Sequence, residues 1–164
     1  MKATLKTASI HAFMIALFTA VTLGFAPAQA ADTPKDPDKK ELQLEQARDA
    51  IAKQDWAGAQ ALLREAVERN PQSADAHNLY AFSMRKGPNP SMDLVFRHYN
   101  EALRIDPRHL GAHEYIGEAY LMLGNVPKAK EHLAQLDRLC RSSCPEYALL
   151  KHAVDVQERQ HALK

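Results

Sequence analysis

Ile116-Gly117-Glu118-Ala119-Tyr120-Leu121-Met122-Leu123-Gly124-Asn125-Val126-Pro127-Lys128-Ala129-Lys130-Glu131-His132-Leu133 decides the fold. Two runs of helix-forming residues flank Gly124-Asn125, a pair suited to a tight turn. The second run has two counterparts upstream. One runs from Asp55-Trp56-Ala57 through Ala66 to Asn70-Pro71, the other from Met92-Asp93-Leu94 through Ala102 to Asp106-Pro107. Across the three, Ala59, Val95 and Ala129 lie 36 and 34 residues apart, and Ala66, Ala102 and Leu136 repeat those spacings. In the preceding runs the order reverses: Ala47, Ala81 and Gly117 lie 34 and 36 apart, as do Ala50, Met84 and Tyr120. One two-residue insertion between the two helices of the middle unit accounts for both series. Lys86-Gly87-Pro88-Asn89-Pro90-Ser91 is the obvious place for it.

A period near 34 with two amphipathic helices per unit resembles the tetratricopeptide repeat family. Ile116-Gly117 fit the family's Leu-Gly, Tyr120 its Tyr, and Ala129 and Leu133 its second helix. The middle unit offers Tyr80-Ala81, Met84, Val95, Tyr99, Ala102 and Pro107, and the first keeps Trp56, Ala59, Leu63, Ala66 and Pro71. Gln43 and Gln46 stand where an aromatic and Leu would be, which suits the polar outer face of a terminal repeat. Arg141 replaces the closing Pro of the third unit. The resemblance implies an all-α, right-handed α-solenoid of three helical hairpins, over about 41–73, 74–109 and 110–141. Small residues at Ala47, Ala59, Ala81 and Gly117 let paired helices approach. Pro71 and Pro107 force the turns between units. After Pro145 an apolar stripe of Tyr147, Leu149, Leu150, Ala153, Val154 and Val156 predicts a capping helix over 145–161.

The start of the chain reads differently. Lys2 and Lys6 precede an uncharged, largely apolar stretch from Ala8 to Phe25, then Pro27 and the small-residue site Ala28-Gln29-Ala30. This is the pattern of a secretory signal cleaved after Ala30, with the bacterial periplasm as the expected address and no membrane insertion once it is removed. Residues 31–40, polar and holding Pro34 and Pro37, read as a disordered leader. The remaining 134 residues carry 19 basic and 20 acidic side chains. That balance excludes a protein held to nucleic acid by bulk charge.

Cys140 and Cys144 are the only cysteines, and in an oxidising compartment such a pair reads as a disulfide pinning the corner before the capping helix. Cys140, Cys144 and His152 form the best candidate metal cluster, and with the remaining His and Met residues they keep a copper- or zinc-handling role as an alternative function. His77 and His113 hold equivalent places in successive repeats and read as interhelical packing. His109 and His113, four apart, need not converge, because His109 follows Pro107 directly. No nucleophile elbow, phosphate loop or His-Glu-x-x-His motif occurs, so neither catalysis nor a cofactor is expected.

In the resembled family the first helix of each hairpin lines a concave groove that holds a partner segment. Projected here, that groove is lined by Leu44, Arg48, Asp75, Asn78, Phe82, Arg85, Glu114, Glu118 and Leu121. Arg48 and Arg85 stand toward one end, Glu114 and Glu118 toward the other, with Phe82 between them. Some family members clamp a C-terminal carboxylate with Lys, Asn and Arg; Asn78 matches one jaw, but Glu114 and Glu118 stand where basic residues are needed. The expectation is a non-catalytic periplasmic adaptor holding a peptide segment of another envelope protein. A further alternative is an accessory subunit of an envelope complex.

Overall fold

Among the described residues seven helices follow one another and there is no strand. The computed structural model describes residues 37–162; the expected signal and residues 31–36 of the expected leader lie outside them. The helices are α1 (Pro37–Ala52), α2 (Trp56–Arg69), α3 (Ala74–Lys86), α4 (Met92–Ile105), α5 (Leu110–Met122), α6 (Val126–Cys140) and α7 (Pro145–Ala162). Residues 37–40, assigned by composition to the leader, are therefore helical. Pro37 suits the first helical position, where its fixed φ is pre-organised and its missing N–H costs nothing.

The loops carry the repeat arithmetic into three dimensions. Three residues join α1 to α2 and α5 to α6, but five join α3 to α4. In the short loops one residue takes the left-handed conformation, Gln54 at φ 57° and Gly124 at φ 71°. The equivalent residue in the middle hairpin is Pro90, which cannot take that conformation. Asn89 takes it instead, at φ 52°.

Helices α1/α2, α3/α4 and α5/α6 pack as consecutive hairpins, and α7 lies against both α5 and α6. Alanines do most of the close work: Ala47, Ala59, Ala81, Ala119 and Ala129 are fully buried, with Leu63, Tyr99, Ile116 and Leu136 filling the space between. Leu150 and Val154 bury the inner stripe of α7. Gly117 makes that docking possible, since a Cβ there would fall 2.6 Å from Leu150 Cδ2. The result is an all-α solenoid of helical hairpins with α7 laid over the last one. Among the described residues no helix is long and apolar enough to cross a membrane.

Gln43 departs from the expected polar outer face. It is buried, its Nε2 donating to Leu62 O at 3.0 Å and to Glu65 Oε2 at 3.1 Å, so it closes the first hairpin from inside. Gln46 is exposed.

Candidate functional site

The projected groove residues divide into three groups. Leu44 belongs to the core with Ala47, Ala59 and Leu63, because its turn of α1 faces α2 and α3. Arg48 stays half-buried, bonding Glu45 at 2.8 Å and approaching Asp75 at 3.8 Å. Asp75 stays with Arg48 and with His109 at 3.1 Å, at the start of α3. The rest lie further along α3 and on α5, toward α7.

There the expected separation of charge does not hold. Arg85 is buried, and its Nη2 donates to Glu118 Oε2 at 2.6 Å while Nε donates to the Tyr99 hydroxyl at 3.2 Å. An arginine and a glutamate placed at opposite ends by projection thus neutralise each other across α3 and α5. The physical reason is burial: a guanidinium at this depth is held only if its donors are matched. Burial pushes the Tyr99 phenol well above its ordinary range, against the pull of Arg85.

Phe82 is the aromatic centre, as projected, but it is one of a set. Its ring lies 6.2 Å from Trp56 and 4.5 Å from Tyr115, and the Arg85 guanidinium and Lys86 ammonium stand over it at 5.5 and 5.8 Å. Trp56, Tyr115 and Lys86 were not projected onto this surface. Tyr115 follows Glu114 directly, and only its neighbours across the repeats place it here.

Glu114 is buried. Burial pushes its carboxyl up to about 7, with the Glu118 and Glu146 carboxylates adding to the rise. Asn78 sits in the equivalent place on α3, 4% exposed, with its Nδ2 3.2 Å from where a Cβ on Gly111 would lie. A side chain there would push the amide back from α5 by a few tenths of an ångström. Asn78 Oδ1 and Glu146 Oε2 are buried with no hydrogen-bond partner among the described residues. Leu121 lines an open groove of about 580 Å³ with Arg85, Lys86, Glu118, Met122 and, from α7, His152, Ala153, Val156 and Gln157. The α7 contribution was beyond the reach of projection, since repeat spacing says nothing about where an added helix lies.

Cys140 and Cys144 meet at the α6–α7 corner with Cα atoms 5.7 Å apart, within reach of a disulfide. His152 does not join them. It lies seven residues beyond Pro145, roughly 10 Å along α7 at 1.5 Å per residue, and faces the groove. His109 and His113 also part ways: His109 caps α5 and bonds Asp75 at 3.1 Å, while His113 turns to His132. Among the described residues no three His, Cys, Asp or Glu side chains are grouped to hold a metal ion.

A family model described as tetratricopeptide repeat matches residues 44–81. Similar solved structures include the TPR2B domain of yeast Sti1 in complex with an Hsp70 peptide, at 21% identity and TM-score 0.63 over 73% of this chain and 98% of that one. The Yersinia enterocolitica type III secretion chaperone SycD, in complex with a peptide of the translocator YopD, aligns at 15% identity and TM-score 0.63, covering 78% and 95%. Pseudomonas aeruginosa pilF aligns at 20% identity and TM-score 0.66, covering 76% of this chain and 55% of that one. No curated protein matches the sequence.

Proposed function

We propose that this chain, which shares the fold of tetratricopeptide repeat domains, is a non-catalytic interaction protein holding an extended partner segment in the groove between α3, α5 and α7. The observation that carries this reading is the groove itself. An opening of about 580 Å³ is lined by the apolar Leu121, Met122 and Val156 together with Lys86, His152 and the paired Arg85 and Glu118. Such a surface offers pockets for apolar side chains and polar atoms for a peptide backbone. The similar structures of Sti1 and SycD, both bound to peptides of other proteins, support the same reading.

The reading extends to address. The signal pattern ending at Ala30 and the Cys140–Cys144 pair at a helix corner suit an exported protein with a structural disulfide in the periplasm, acting on another envelope protein. The test is site-specific photo-crosslinking in envelope extracts. A crosslinking side chain at Met122, on the groove, should capture a discrete partner, and one at Leu94, on α4, should not. Both positions are exposed, so neither substitution disturbs the core. Capture from Leu94 alone would move the binding surface off the groove and favour an accessory subunit docked by its outer helices.

A further inference from the structure

His77 and His113 are equivalent in the second and third hairpins, and so are His98 and His132 on the following helices. The structure joins them in the same way twice. His77 Nδ1 lies 2.9 Å from His98 Nδ1, and His113 Nδ1 lies 3.0 Å from His132 Nδ1. On the far side of the first ring, His77 Nε2 lies 3.2 Å from Pro71 O and His113 Nε2 lies 3.1 Å from Pro107 O. A carbonyl only accepts, so Nε2 of His77 and of His113 carries a proton. Nδ1 of each neutral ring is then bare and accepts from the Nδ1–H of its partner on the next helix.

This arrangement has a fixed proton capacity. A neutral pair holds two protons, and a third fits on Nε2 of His98 or His132. A fourth would set two N–H groups against each other at hydrogen-bond distance, which the contact cannot accommodate. The groups around each pair do not relieve this. His98 feels His77 and Arg97 against Glu101, with the Tyr80 ring packed on it. His113 feels His109 and Arg138 against Asp106, and His132 feels His113 and Lys128 against Glu131, with Tyr120 stacked on it. Each set mixes both signs.

We propose that the His77–His98 and His113–His132 contacts are acid-labile seams, each refusing a proton that the open hairpin accepts, so that acidification loosens the second and third hairpins and spares the first. The first hairpin is the internal control, because Gln43 occupies the place of His77 and His113 and bonds Leu62 O without titrating. Burial already holds His98, His113 and His132 below the ordinary imidazole range, His132 down to about 4, so the folded chain resists even the first proton. The sign follows. Below the unfolded imidazole value, about 6.5, the unfolded chain binds at least two more protons than the folded one, and stability falls as pH falls. α3 and α5 carry His77 and His113 as well as the groove residues Arg85, Glu118 and Leu121, so loosening reaches the groove.

Urea unfolding of residues 31–164 at pH 7.5, 6.5 and 5.5 tests the seams, beside the double variant His77→Gln/His113→Gln that copies the first hairpin. Two refused protons raise the unfolding constant by up to about 100-fold per pH unit below 6.5. The variant should lose the two seam protons from that slope and keep only what burial of His98 and His132 contributes, and amides of α3–α6 should exchange ahead of those of α1–α2 at pH 5.5. An unchanged slope in the variant would overturn the proposal. Should the variant fail to fold, imidazole ¹⁵N shifts of the unaltered chain decide: His77 and His113 should show the Nε2–H tautomer, and four independent protonations near 6.5 would refute the seams. Zinc-induced stabilisation lost in the variant would make the pairs metal sites and equally overturn them.

Discussion

In the first hairpin an amide, Gln43, bridges the two helices; in the second and third a pair of imidazoles does so. The groove position one residue further along differs in the same direction. It is Leu44 in the first hairpin, Asn78 in the second and Glu114 in the third, all buried. The position after Leu44 by two turns is Ile51, against Arg85 and Leu121 in the later hairpins. The comparison teaches where polar chemistry has been admitted. The first hairpin is bridged by an amide that does not titrate, whereas the middle of the array holds an ion pair with a buried arginine and the later hairpins hold imidazole pairs at helix contacts. Buried polar groups stabilise only when every partner is in place, so the later hairpins are the part of the fold most exposed to single changes.

Arg85 gives the largest expected effect. Replacing it by Met keeps the volume but leaves Glu118 and the buried Tyr99 hydroxyl without their donor. The loss should be about 3 kcal/mol, as for one partner removed from a buried pair. Arg48→Met in the first hairpin removes a half-exposed arginine and should cost less than about 1 kcal/mol. Urea denaturation of the two variants side by side measures the difference, and equal losses would erase the contrast between the hairpins.

Glu114 sharpens the comparison through pH. Its folded carboxyl, raised to about 7, stands above the ordinary value of 4.5, so the folded chain holds this proton more tightly than the unfolded one. The stability it contributes is fully present below pH 4.5 and is lost as pH rises through 7. Glu114→Gln should match the unaltered protein near pH 4 and exceed it by about 3 kcal/mol at pH 8. The direction is opposite to that of the histidine seams, whose contribution is lost on acidification. Stability curves for the single and combined variants separate the two, and a Gln variant with unchanged pH dependence would show that Glu114 is already ionised at no cost.

Much of this architecture is legible in the sequence because close helix packing demands small residues at fixed intervals. Ala47, Ala81 and Gly117, with Ala59 and Ala129, mark the helix contacts, and the reversed 34 and 36 spacings place the extra residues in the α3–α4 loop. The groove was legible only in part. Register identifies which residues share a face, but not how deep each lies, so Leu44 falls into the core and Arg85 turns to Glu118. The His98–His132 equivalence obeys the same 34-residue spacing as Val95 and Ala129 and was there to be found. What no spacing carries is the path of α7, since it has no counterpart elsewhere in the chain to compare.

The smallest expected difference lies at the starts of the second helices, where Asp55, Ser91 and Asn125 are equivalent. Asp55 and Asn125 each accept a hydrogen bond from a backbone N–H of the first turn, Gly58 and Lys128 respectively. Ser91 makes no such bond. The loop itself differs: with Pro90 barred from the left-handed conformation and Asn89 taking it, the chain enters α4 along a different path. Asp55→Ala and Asn125→Ala should therefore each cost about 1 kcal/mol, the usual loss for a capping side chain, and Ser91→Ala only a few tenths. Thermal unfolding resolves a difference of that size. A Ser91→Ala loss as large as the other two would mean that the middle hairpin caps its second helix after all, and that its longer loop changes length without changing the chemistry of the turn.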